Sequence, residues 1–99
     1  MSTCTKLSGH KFPLGRIVMT RGVQAALFNQ GLNPVKFLDR HASGDWGDLD
    51  EGDKQMNDRA VKHGDDRIFS SYKVGDELTV WVITEADRSV TTLLLPEEY

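Results

Sequence analysis

The densest set of chemically capable side chains in these 99 residues is His41-Ala42-Ser43-Gly44-Asp45-Trp46-Gly47-Asp48, followed directly by Asp50, Glu51 and Asp53. An imidazole exchanges protons near neutral pH, carboxylates act as acids, bases or metal ligands, and an indole can anchor a contact surface. Ser43 beside His41 and Asp45 suggests a nucleophile, but three such close neighbours rarely reach nucleophile, base and orienter geometry, and no nucleophile elbow surrounds Ser43. Asp45 with Glu85 or Asp87 offers the paired carboxylates a hydrolase uses, although any acidic surface would offer as much.

Metal binding would draw on His10, His41, His63 and Cys4, which show no short paired spacing of the kind zinc sites use. The run Asp48-Leu49-Asp50-Glu51-Gly52-Asp53 resembles a calcium loop, but its glycine falls at the fifth position and Arg59 stands where the bidentate Glu belongs. No metal and no cofactor is expected. Glu85, Asp87 and Arg88 fit a turn in which Asp87 accepts backbone N–H groups and Arg88 pairs with an acid. His41 fits a helix end, its ring stacked on Trp46 or bonded to a carbonyl.

These residues need elements to hold them. Pro13 and Gly15 punctuate the start of a β-branched strand over 16–20. Thr20 is placed to cap a helix over 23–30, with Val23, Ala26 and Leu27 at helical spacing and Gly31 after its end. Asn33-Pro34 opens a helix over 34–41. Asp48 or Asp50 caps a third over 49–63, with Glu51 at capping-box spacing from Asp48 and Arg59, Lys62 and His63 near its C-terminus. Period-two alternation then predicts strands over 67–74 and 78–84 around a Gly75-Asp76 turn, and a strand over 90–95 that Pro96 stops. The expectation is an α+β fold in the order β-α-α-α-β-β-β, with an antiparallel sheet of three to four strands and two to three helices packed on one face. Trp81 is expected in the core and Trp46 either in the core or at an interface, while Ser71, Thr79 and Thr91 would form a watery sheet face. A free sheet edge could take up a partner strand or a second copy.

One globular domain over 11–99 fits the length, with 1–10 as a flexible tail. The net charge is -3, and between 45 and 58 six acids face Lys54 alone, so direct nucleic-acid binding is not expected. A lone cysteine makes no internal disulfide, and no apolar run is long enough for a membrane span or a secretory signal; a cytoplasmic protein is the expectation.

The segment from Trp81 to Thr91, with Leu94-Leu95-Pro96-Glu97-Glu98-Tyr99, resembles a group of small bacterial proteins usually labelled plasmid-related or hypothetical. His41, 43–47, Asn57-Asp58 and Ser71-Tyr72 occur in matching order in that group, so the resemblance covers about residues 12–99. It implies a bacterial, plasmid- or phage-linked setting. Some members carry the label of a restriction-modification methylation subunit, yet this chain lacks a glycine-rich cofactor loop and is too short for a methyltransferase domain.

The leading expectation is a non-enzymatic interaction protein, monomer or weak homodimer, that binds a protein partner through the acidic stretch 41–53, with Glu85, Asp87 and Arg88 as further contacts. One form of this is acidic mimicry of nucleic acid in a basic groove. The alternatives are a small ligand-binding domain or enzyme centred on His41, Asp45, Asp48 and Asp87, and a structural homodimer through a sheet edge.

Overall fold

The structure is a computed structural model that describes residues 11–76 and 78–99; residues 1–10, with Cys4 and His10, where a flexible tail is expected, lie outside the described residues. It is an α+β fold in the expected order: β1 (Arg16–Met19), α1 (Arg21–Gln30), α2 (Pro34–Ala42), α3 (Glu51–His63), β2 (Ile68–Val74), β3 (Leu78–Thr84) and β4 (Val90–Leu94), then a 3₁₀ turn (Pro96–Glu98). Each helix is opened by the side chain of its N-cap. The Thr20 hydroxyl accepts from Val23 N–H, the Asn33 carbonyl from Val35 N–H with Pro34 in the first turn, and the Asp50 carboxylate from Asp53 N–H. Asp50, not Asp48, therefore starts α3, and no capping box to Glu51 forms at Asp48.

The four strands form one mixed sheet in the order β1-β4-β3-β2. The expected antiparallel sheet holds for β2, β3 and β4, but β1 runs parallel to β4 with Ile17 opposite Thr91 and Met19 opposite Leu93. Parallel pairing brings the ends of β1 and β4 to the same end of the sheet. There the Glu98 carboxylate accepts from the Thr20 hydroxyl and, at 3.0 Å, from Gly22 N–H in the first turn of α1, where negative charge is favoured. The pairing thus places an acid from the C-terminal turn on the start of the first helix.

Strand alternation divides the sheet into two faces. One carries Ile68, Ser70, Tyr72, Val80, Val82, Thr84, Thr91 and Leu93, all buried. Val23 and Leu27 of α1 and Phe37 of α2 pack with Tyr72, Val80, Val82 and Leu93 there. A second cluster, Phe12, Trp46, Ala60 and Ile68, fills the space towards α3. Of the two to three helices expected on one face, α1 and α2 contribute core residues to the first cluster. α3 lies along the β2 edge, where Asn57 bonds the strand backbone, and its Asp53 and Met56 reach round to the opposite face. No described helix is long and apolar enough to cross a membrane.

Candidate functional site

His41, in the last turn of α2, is fully buried between the two core clusters. Its Nδ1 lies 2.6 Å from Ser70 Oγ and its Nε2 2.9 Å from Thr84 Oγ1. Thr84 Oγ1 is 2.7 Å from Thr91 Oγ1, and Thr91 donates at 2.6 Å to the Leu14 carbonyl, which can only accept. That last bond orders every proton. With its one hydrogen committed to Leu14, Thr91 must accept from Thr84, Thr84 must accept from Nε2–H, and Nδ1 is left to accept from Ser70. The imidazole is therefore the neutral Nε2–H tautomer, with both nitrogens satisfied. Phe12 and Trp46 meet the ring at 5.3 and 5.9 Å between centroids, edge to face. Burial with no charged neighbour pushes His41 down to about 3, so it stays uncharged near neutral pH. Its partners are hydroxyls, not the carbonyl expected, and Thr91 belongs to this buried chain rather than to a watery face.

The loop after His41 is spent on the sheet edge. Trp46 C=O accepts from Ser71 N–H at 3.2 Å, Asp48 N–H donates to Ser71 C=O at 2.7 Å, and the Asp48 carboxylate accepts from Lys73 N–H at 2.8 Å. Asn57 of α3 completes the seal. Its amide donates to Phe69 C=O at 2.6 Å and accepts from Phe69 N–H at 3.1 Å, as a neighbouring strand would. So close an approach needs Gly47, whose φ is 77° and whose hypothetical Cβ would collide with the Ser71 carbonyl oxygen. Asp45 is ion-paired at 2.7 Å with Arg40 and also accepts from Gly47 N–H; the bond from Arg40 is the main cause that holds its carboxyl below the usual range. Trp46 is 4% exposed, and its indole donates to Asp58 at 2.9 Å. It is a core residue and presents no free surface to a partner.

Of the other candidates, Asp50 is the α3 cap, while Glu51 and Asp53 are exposed in the first turn. Glu85 and Asp87 are exposed in the β3–β4 turn, where Asp87 accepts from Ser89 N–H at 3.0 Å as expected. Arg88 does something else than pair with an acid. Its guanidinium donates to four carbonyls, those of Asp66, Glu85, Ala86 and Ala60, and so ties the turn to the end of α3. Among the described residues no three His, Cys, Asp or Glu side chains converge as a metal set would require.

An open groove lies on the sheet face away from α1 and α2. It measures about 560 Å³, with Phe69, Trp81 and Ile83 as its floor, Met56 and Asp53 of α3 as one wall and Tyr99 as another. Among the ten candidates read from the sequence, Asp53 alone lines it. Met56 is 60% and Tyr99 67% exposed beside the groove. Its signal was present in the strands. Phe69, Trp81 and Ile83 alternate with Ile68, Val80 and Val82, so both faces of the hairpin are apolar, while α1 and α2 cover only one. The chain matches no known protein family, no curated protein and no solved structure.

Proposed function

We propose that the chain is a non-enzymatic interaction protein that takes a segment of a protein partner into the groove between α3, the sheet and Tyr99. One observation carries this reading: exposed apolar side chains converge at the groove, whereas the candidate catalytic groups are committed elsewhere. Met56 and Tyr99 stand in solvent beside the rings of Phe69 and Trp81, an arrangement typical of contact surfaces. His41 has both nitrogens bonded, Asp48 holds strand backbone and Asp45 holds Arg40. The acidic start of α3 enters the same surface through Asp53, which keeps part of the 41–53 stretch in the binding role. The bacterial, plasmid- or phage-linked setting that the resemblance implies belongs to this proposal as well.

A photo-crosslinking residue at Met56, introduced in the cell that makes the protein, tests it. A discrete adduct with one partner is expected from position 56 and none from position 36, an exposed site on α2. Equal adducts from both positions, or none from position 56, would end the reading.

A homodimer through a sheet edge is supported by a separate observation, and only for β1. The β2 edge is occupied by Trp46, Asp48 and Asn57, whereas β1 has no strand beyond it among the described residues and exposes Ile17 at 42% and Val18 at 39%. Sedimentation equilibrium of the wild type against Ile17→Lys distinguishes the cases: a dimer through β1 loses mass in the variant, and a mass unaffected by it removes this reading.

A further inference from the structure

We infer that the segment bound in the groove presents a cationic side chain, a lysine or arginine, next to an apolar residue. The inference rests on the binding reading above and adds the partner's chemistry to it. The rings that line the groove meet nearly at right angles: Phe69 and Trp81 have centroids 4.9 Å apart with planes at 88°, and Trp81 and Tyr99 lie 5.7 Å apart at 67°. Rings so arranged do not share one plane, so a groove lined by them offers aromatic surface to a cation, which is attracted to an aromatic face. The protein already uses one of these rings that way. The guanidinium carbon of Arg67 sits 5.9 Å from the Tyr99 centroid.

The charges around the rings favour the same guest. The lining holds two carboxylates, Asp53 and Asp66, against one cation, Arg67. Asp66 gives one oxygen to the N–H of Arg67, and the Asp53 carboxylate makes no hydrogen bond or ion pair among the described residues. An acidic guest would be repelled, and a neutral one would displace water from Asp53 without replacing it. The Trp81 indole N–H likewise has no partner among the described residues, in contrast to that of Trp46, so it can donate to a carbonyl oxygen of a bound segment. Met56, Leu49 and Ile83 supply the apolar contact beside the charge.

The two indoles make the test selective. In a ¹⁵N-labelled sample Trp81 reports the groove, and Trp46, buried and bonded to Asp58, reports the fold. Three blocked hexapeptides of equal length serve as probes, alternating leucine with lysine, with glutamine or with glutamate. The lysine peptide is expected to shift the Trp81 indole signal saturably, to bind at least tenfold tighter than the glutamine peptide, and to weaken with added salt. Asp53→Asn and Asp66→Asn, both at exposed positions, are each expected to weaken it about threefold with Trp46 unmoved. Equal binding of the lysine and glutamine peptides, or tighter binding of the glutamate peptide, overturns the cationic inference and leaves the groove reading standing. If no peptide moves Trp81, or if Trp46 moves with it, both fall.

Discussion

Arg88 and Gly47 are single residues on which neighbouring backbone depends. Arg88 is the one described non-glycine residue with a positive φ, 61°, and its fork holds carbonyls from three stretches of chain. Arg88→Ala should cost about 2 kcal/mol in urea unfolding, the scale of hydrogen bonds to a charged group. Arg88→Gly should cost less than Arg88→Ala, by up to about 1 kcal/mol, because glycine accepts the left-handed backbone without strain. An equal loss in both would show that the backbone conformation contributes nothing there. At Gly47 the demand is steric as well as conformational. Gly47→Ala should destabilise by at least about 2 kcal/mol, since the loop must leave the strand to make room for a methyl group. An alanine variant as stable as wild type would contradict the close packing of the loop on Ser71.

Among the elements, β2 is an edge strand without free bonding groups at Phe69 and Ser71. Edge strands expose rows of N–H and C=O groups that recruit other chains, and here a loop and one amide side chain occupy them. Asn57→Leu keeps the volume and removes both bonds to Phe69. It should lower stability by about 2–4 kcal/mol through two unsatisfied backbone groups, and it should raise the weight-average mass at high concentration as the opened edge pairs with another copy. An unchanged mass would mean that Trp46 and Asp48 seal the strand alone. Asn57 falls on the same turn of α3 as Ala60, so its burial followed from the helix, but its role required knowing that the helix lies along an edge.

Across the whole molecule, the chain of hydroxyls around His41 joins the two apolar clusters, and it links stability to pH. The folded-state value of about 3 lies below the ordinary 6.5, so the unfolded chain binds the proton more readily. Stability is full above pH 6.5 and falls as the pH drops towards 3. From this group alone the loss at pH 5 is about 2 kcal/mol, the integral of a depressed site between its two values. No charged side chain contacts the ring to oppose this; its neighbours are Ser70, Thr84, Phe12 and Trp46. His41→Leu should be less stable than wild type at pH 7 by about 3 kcal/mol, because Ser70 and Thr84 lose a partner, and should lack this component of the acid slope. Chemical denaturation at pH 7 and pH 5 measures both, and an identical slope in the variant would assign the acid limb to carboxylates such as Asp45.

The sequence by itself determined the elements and their order. Caps at Thr20 and Asn33, an acid at 48 or 50 before the third helix, the proline at 34 and the period-two alternation from Ile68 onward are local signals, set by groups within a few residues of one another. The direction of β1, the seal on β2, the neutral tautomer of His41 and the groove were decided by the tertiary structure. Each depends on groups far apart in the chain: β1 meets β4 more than seventy residues later, and Asp48 meets Lys73. A histidine, an acid or a tryptophan in a turn has the same local signature whether it faces water or core. The partner that settles the matter, a hydroxyl on another strand or an unpaired backbone N–H, is brought near only by folding. The stretch with the most chemically capable side chains thus became the most internally committed, and the open surface formed where two apolar strand faces met too few helices.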